Sequence, residues 1–185
     1  MKSNKIVLFW LGGIAAALLL GVFAWAVLET GIEVTSRPEF CDTCHAMEPA
    51  AKSYVDSIHG GNNDRGITAA CTDCHVSHEN VLAHFLGKAR SGTHDAWVTL
   101  TRKEGNLDWQ ALREKREEYV YDSGCLTCHQ RLEEATANNG FHQMYFNEIT
   151  DSKCVSCHAS VGHANLNMYL LETKYKYHFD EHSRR

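Results

Sequence analysis

The chain has 185 residues and a formal net charge of −5, with 18 basic residues against 23 acidic ones. Nucleic-acid-binding proteins carry clustered positive charge, and this balance offers none, so a nucleic-acid partner is excluded. The chain also contains eight cysteines, a number that indicates covalent cross-links, covalently attached cofactors or bound metal.

The first element is an apolar segment at residues 6–28 that contains no charged residue. About 20 such residues span a bilayer as a helix. Lys2 and Lys5 precede the segment and Glu29 follows it, so the positive-inside rule predicts a cytoplasmic tail at 1–5 and a periplasmic domain at 29–185. The alternative is a cleaved signal peptide, because Ala24-Trp25-Ala26 resembles a small-residue cleavage site. The length of the apolar run favours a permanent anchor in a bacterial inner membrane.

All eight cysteines fall in four CxxCH motifs, which are Cys41-Cys44-His45, Cys71-Cys74-His75, Cys125-Cys128-His129 and Cys154-Cys157-His158. CxxCH is the attachment pattern of c-type haem, in which both thiols are bonded to the porphyrin and the histidine reaches the iron. A CxxC pair also occurs in zinc sites and in thioredoxin-like centres. Neither explains a histidine after every second cysteine, so the motifs predict four covalently bound haem c groups.

Only roughly 39 residues per motif remain after the apolar segment, too few for an ordinary apolar core around four porphyrins. We therefore expect a mainly α-helical protein with much irregular structure, in which the haems form the core of a compact domain. The motif spacing repeats, with 30 residues from Cys41 to Cys71 and 29 from Cys125 to Cys154. This repeat predicts two dihaem modules, at about 34–80 and 121–165, followed by an extension at 166–185.

A six-coordinate haem needs a second axial ligand besides the motif histidine. His59 and His142 each lie 12 residues before the second motif of their module, and His163 follows the last motif. These three are the candidate distal ligands, although the sequence does not assign them to particular haems. His78 has weaker support, and the repeat gives none to the remaining histidines, which are His84, His94, His178 and His182.

Met47 lies two residues after the first motif histidine. Its thioether either packs against the haem as an apolar filler or binds iron, which would raise the reduction potential. Further along, residues 79–100 carry an apolar stripe at helical spacing, with Gly87 and Gly92 expected to break or bend the helix. The stripe fits either a membrane surface or core packing.

The segment 101–124 reads as a charged helical spacer. The extension carries an apolar stripe at helical spacing, which comprises Leu166, Tyr169, Leu170 and Tyr177. This stripe fits either packing on the haem domain or docking of a partner.

With its CxxCHxM first motif, single apolar segment and four CxxCH motifs, the chain resembles the NapC/NirT/NrfH family of membrane-bound quinol dehydrogenases from Met1 to about His163. The similarity includes the segments Asp56–His59, Cys71–His78 and Lys88–Arg90. The resemblance implies that Met47, rather than His45, binds the first haem. It also implies a quinol site beside Lys88 and Asp95, with the carboxylate accepting a proton and the cation stabilising negative charge. His94 is a rival base.

The resemblance further implies an electron-transfer oxidoreductase of anaerobic respiration. Menaquinol or ubiquinol would be the donor and a periplasmic nitrite or nitrate reductase the acceptor. A ligand to the last haem from the partner, a stable complex with the reductase and a homo-oligomer all stay open. The main alternative is a terminal reductase of a small nitrogen or sulfur oxyanion. Such an enzyme usually has a CxxCK motif, whereas every motif here ends in histidine. A haem-based sensor would need a signalling domain for which the chain has no room.

Overall fold

A computed structural model describes residues 2–101 and 107–175. Within these ranges the protein is α-helical, and its only β pairing is an isolated bridge between Gly60 and Thr68. The mainly helical fold class is therefore confirmed. The chain divides into two compact units, Met1–Arg37 and Pro38–Arg185.

The first unit is one helix, α1 (Lys2–Val34), which contains the predicted span 6–28 and continues beyond it on both sides. Among the described residues it is the one helix long and apolar enough to cross a bilayer. The helix ends where Thr35 and Ser36 turn their hydroxyls back onto backbone carbonyls of the last turn, since such bonds satisfy acceptors that a helix end leaves unpaired.

The second unit is built from short helices joined by irregular segments, with α5 as the long exception. The helices are α2 (Pro38–Cys41), a 3₁₀ turn (His45–Met47), α3 (Glu48–Val55), α4 (Cys71–His75), α5 (Val81–Thr101), α6 (Trp109–Glu114), α7 (Arg116–Tyr119), α8 (Asp122–Cys128), α9 (Leu132–Ala135), α10 (Gly140–Phe146), α11 (Cys154–Cys157) and α12 (Leu166–Tyr175).

Little apolar material is buried in this unit. Its buried hydrophobic residues, among those described, are Ala50, Tyr54, Val76, Val155, Leu166 and Tyr169. Most of them lie where α12 packs on α3. A domain of this size normally buries a far larger apolar core, so the polypeptide supplies only a minor part of the interior, as the residue count per motif predicts.

Helix α5 differs from its prediction in one respect. It runs without interruption from Val81 to Thr101, so Gly87 and Gly92 do not break it. At Gly87 a side chain would approach Val76 to 3.2 Å, so this glycine permits close packing against the residue after the second motif. A different face of the helix is exposed, including Leu82, Leu86, Trp97 and Leu100. The apolar stripe therefore does not form core packing within the described part of the chain.

The predicted spacer after Thr101 contains two short helices, α6 and α7, within its described part. The extension at 166–185 begins with α12, whose Leu166 and Tyr169 are buried against the domain. Leu170 of the predicted stripe is half-buried, and its last member, Tyr177, lies outside the described residues, as do His178 and His182.

Candidate haem-binding sites

The last three CxxCH motifs share one local structure. Both cysteines of each motif lie in a single short helix, α4, α8 or α11, with the motif histidine at its end or in the next position. Because 3.6 residues make one turn, this places the two thiols on the same side of the helix. That arrangement lets both thiols reach one flat ring.

Each of these three motif histidines faces another histidine ring. The ring centroids are 6.2 Å apart for His75 and His163, for His59 and His129, and for His142 and His158. Since a metal–imidazole bond is about 2 Å long and a ring nitrogen lies about 1.1 Å from its centroid, two imidazoles on opposite sides of one metal have centroids about 6 Å apart. The residues therefore fit a haem iron held between each pair.

The pairing crosses the two predicted modules. His163 follows the fourth motif but faces the histidine of the second, and His59 precedes the second motif but faces the histidine of the third. Only His142 and His158 belong to the same predicted module. The sequence repeat locates the three spare histidines without indicating these partners.

Backbone carbonyls orient the rings of one pair. His75 donates from Nδ1 to the carbonyl of Tyr119 at 2.9 Å, and His163 donates from Nδ1 to the carbonyl of Ala50 at 3.1 Å. Both rings thus keep Nε2 available as a metal ligand, the usual way in which a second contact fixes the tautomer. Burial, together with the nearby His75, lowers the pKa of His163 to about 4, so this imidazole is neutral, as a metal ligand must be.

The pair His142 and His158 lacks such support on one side. Nδ1 of His142 is buried and has no hydrogen-bond partner among the described residues, while its ring lies nearly parallel to His158 at 22°. A buried, unpaired ring nitrogen is costly, so an imidazole in this position is suited to bind a group that the polypeptide itself does not provide.

The first motif has a different structure. Cys41 ends α2, Cys44 is extended, and His45 begins the 3₁₀ turn. No described histidine ring faces His45. Its Nδ1 instead lies 3.0 Å from Glu48. The pKa of Glu48 is lowered mainly by a hydrogen bond from Lys52, and also by the charge of Lys52 and by contact with His45. Met47 follows at the N-terminus of α3 and is partly exposed.

Helix α5 lies beside this first motif. The Thr99 hydroxyl approaches the sulfur of Cys44 to 3.9 Å. Lys88 and Asp95 both act electrostatically on the Cys41 thiol, in opposite directions. Partial burial lowers the pKa of Lys88. The structure thus brings together the two residues predicted for the quinol site and the first motif, although the two residues are two helical turns apart.

The cysteines also approach each other between motifs. The first cysteines of motifs one and two interact, and the interaction with the Cys71 thiol lowers the pKa of Cys41 to about 7. In motifs three and four, the sulfurs of Cys125 and Cys154 lie within 4.8 Å of each other and of the Asp122 carboxylate. By ligand type alone, this group could hold a metal ion, but both thiols belong to CxxCH motifs.

Motifs two and three meet through backbone. The Tyr121 amide donates to the carbonyl of Cys74 at 3.0 Å, and the His78 amide donates to the Ser123 hydroxyl at 2.9 Å. A side chain at Gly124 would lie 1.7 Å from the carbonyl oxygen of Asp73, so only glycine permits this approach. Contact between the two predicted modules is therefore made directly by motif helices.

The weaker histidine candidates do not face a motif histidine. His78 and His84 contact each other edge to face at 4.7 Å, and both also lie near backbone carbonyls. His94 is exposed beside Asp95 at 3.3 Å. The contacts of Tyr119 and Ala50 were not predictable from the sequence, because a carbonyl contact depends on chain position rather than on residue type.

Comparison with known proteins agrees with these sites. The model of the NapC/NirT cytochrome c family, N-terminal region, matches residues 1–168. A protein of Allochromatium vinosum described as tetraheme cytochrome-c type is 33% identical over 133 residues, which are 66% of this chain and 65% of that protein. The cytochrome c nitrite reductase subunit NrfH of Nitratidesulfovibrio vulgaris is 31% identical over 110 residues, which cover 60% of this chain and 62% of that protein. The aligned part thus spans less than two thirds of these relatives.

Among solved structures, a cytochrome c nitrite reductase NrfHA complex bound to the HQNO inhibitor contains a similar chain. The two match with a TM-score of 0.58 and 25% identity, over 91% of this chain and 99% of the other. Together with the four motifs and the three histidine pairs, the family match over 168 of 185 residues leads to one conclusion: the chain belongs to the NapC/NirT cytochrome c family and carries covalently bound haem c.

Proposed function

We propose that this protein is a membrane-anchored quinol dehydrogenase with four haem c groups that passes electrons to a periplasmic reductase. The observation that carries the proposal is the difference between the motifs. Three have a histidine pair of matching separation, whereas the first has no facing histidine in the described part of the chain and lies beside Lys88 and Asp95. Such a layout suits one entry site followed by three relay sites.

The ligand assignment follows from the pairs. Three irons would be held by the pairs His75–His163, His59–His129 and His142–His158, and the first would be held by Met47 rather than His45. The haems, when bound, supply reversible one-electron transfer. The chain's own part is to fix each imidazole, to exclude water and to handle protons.

Quinol oxidation releases two protons together with two electrons. In our proposal, the Asp95 carboxylate accepts the proton of one quinol hydroxyl and passes it to water, which restores the carboxylate to accept the second proton in the same way. The two electrons would pass one at a time through the haem c groups to the periplasmic reductase, and the product would leave as quinone. The Lys88 ammonium stabilises the negative charge that develops on the quinol oxygen. Lys88 is partly buried, where a charge acts more strongly than in open solvent. Menaquinol or ubiquinol fits this chemistry.

The exposed face of α5 supports access to quinol from a bilayer. Leu82, Leu86, Trp97 and Leu100 are 57–83% exposed, and Arg90 lies on the same helix. We infer that this face lies in the membrane interface with its cations at the headgroups. Helix α1 then serves as the anchor, with its N-terminus in the cytoplasm.

The proposed partner is a periplasmic reductase. The solved relative belongs to a cytochrome c nitrite reductase complex, which supports a stable complex of this kind, with either a nitrite or a nitrate reductase. A homo-oligomer is the alternative assembly. Because His142 faces His158 within the chain, we infer that the fourth haem needs no ligand from the partner.

The quinol site is tested with purified haem-loaded protein in detergent and a water-soluble quinol. We expect Asp95→Asn and Lys88→Leu each to slow haem reduction by about 10²-fold, since a positioned proton acceptor contributes this much or more. Arg90→Leu removes a cation from the same helix and serves as the control, with an unchanged rate.

Equal rates in Asp95→Asn and the unaltered protein would disprove the assigned base, and a slow His94→Gln variant would transfer that role to His94. Rapid consumption of nitrite by the isolated protein would instead favour a terminal reductase.

A further inference from the structure

Ser53 is fully buried in the α3 helix, with 0% of its surface exposed. Its hydroxyl lies 3.0 Å from the carbonyl of Ala50 and 3.1 Å from Nδ1 of His163. His163 Nδ1 is also 3.1 Å from that same carbonyl. The three groups therefore form a closed triangle, although the serine and the histidine are 110 residues apart in sequence.

The chemistry of the triangle allows one hydrogen-bond pattern that leaves Nε2 free. A carbonyl only accepts, so it requires a proton on Nδ1 of His163. The Ser53 hydroxyl donates to the same carbonyl, and its lone pairs are then free to accept from Nδ1–H. The carbonyl thus sets the tautomer, and the hydroxyl is a second acceptor that resists rotation of the ring.

A serine at position 53 is less favourable for folding than an alanine would be, and packing does not explain its presence. Alanine is the better helix former, and a wholly buried hydroxyl loses its contacts with water. Both costs are offset when the hydroxyl is satisfied as donor and acceptor, as it is here. The neighbouring small residues of α3 include alanines, so the packing alone does not require serine.

We propose that Ser53 is a positioning residue that holds the His163 imidazole in the orientation needed to bind the haem of the second motif. The proposal rests on the ligand role of His163 in the proposed function. It goes beyond that role because it links α3, the helix that begins beside Met47 at the first motif, to the axial ligand of the second haem.

The test uses the full-length, haem-loaded protein and electron paramagnetic resonance. First, His163→Met identifies the second haem, because exchange of its ligand removes one low-spin component from the spectrum. Then Ser53→Ala should shift that component alone, with four haems still attached by mass. Loss of an acceptor makes the imidazole a weaker electron donor, which raises the reduction potential of the second haem. The oxidised-to-reduced ratio of that haem at fixed potential should therefore fall by up to about tenfold, which corresponds to a shift of 59 mV for one electron.

Tyr169→Phe is the matched control. Tyr169 is also buried between α12 and α3, and its hydroxyl donates to Asp56, which is not a predicted ligand. This variant should leave the second-haem component in place. An unchanged component in Ser53→Ala, or an equal shift in Tyr169→Phe, would overturn the role of Ser53 while leaving His163 as a ligand. A His163→Met variant with an unaltered spectrum would overturn the ligand role and the inference together.

Discussion

The first CxxCH motif and the other three have the same residue pattern but different surroundings. Motifs two to four lie in short helices, and each motif histidine faces a second imidazole at 6.2 Å. In the first motif the chain turns between the two cysteines, and His45 lies against Glu48 instead. The pattern thus specifies where a haem is attached, whereas the fold decides what lies on each side of its iron.

The residues that follow His45 provide it with a different partner. Three residues after His45, Glu48 begins α3, and it accepts from Lys52 at 2.6 Å and contacts His45 at 3.0 Å. A carboxylate at a helix N-terminus is favourable, so His45 has an attractive partner along the helix. Exposed ion pairs of this kind contribute at most about 1 kcal/mol; the arrangement is therefore weak enough to change during haem attachment.

The largest effect should come from removing the haems, which affects all four motifs alike. If the chain is produced without haem attachment, we expect the domain beyond Pro38 to lose its stable fold, because its buried apolar residues are so few. Limited proteolysis should then degrade the domain, while α1 in detergent stays protected. A protease-resistant haem-free domain would contradict this prediction.

A second prediction tests the difference between the first motif and the other three by substituting their candidate ligands. His129→Gln should remove one low-spin component from the paramagnetic resonance spectrum, because His59 would lose its partner across the iron. His45→Gln should leave the spectrum unchanged, since Met47 is the proposed ligand at the first motif. Met47→Ala should alter a high-spin component, because the first haem is expected to be weakly ligated.

The proposed difference between the first motif and the other three would be wrong if His45→Gln changed the spectrum as much as His129→Gln does. A wholly low-spin spectrum of the unaltered protein would remove Met47 from the ligand set. The same samples should show four attached haems by mass, which separates the loss of a ligand from the loss of a haem.

The sequence was sufficient for the features that depend on local pattern. The apolar segment, the four motifs and the helix around Lys88 were all predicted, because periodicity and motif spacing determine them. The pairing of His163 with His75 was not predictable, since it depends on how α12 and α3 bring distant segments together. For the same reason the carbonyls of Tyr119 and Ala50, and the hydroxyl of Ser53, have no signal in the sequence.

The smallest predicted effect concerns the backbone contact between motifs two and three; the contact described for the first motif, between Cys41 and Cys71, is made by side chains. Gly124→Ala would place a methyl group 1.7 Å from the Asp73 carbonyl. Because backbone rather than a flexible side chain must shift to admit the methyl group, we expect a cost at the upper end of the about 1–3 kcal/mol typical of overpacking. The melting temperature of the haem-loaded protein should therefore fall by about 6–12 °C.

Gly140→Ala is the control, because Gly140 is the first residue of α10 and its methyl group would meet nothing within 4 Å. Its melting temperature should stay the same or rise slightly. In Gly124→Ala, the paramagnetic resonance components of the second and third haems should both move, because α4 and α8 carry their cysteines, while the signal of the first haem stays in place. If Gly124→Ala were as stable as Gly140→Ala, or if it perturbed the first haem equally, motifs two and three would not form the rigid unit that sets them apart from the first.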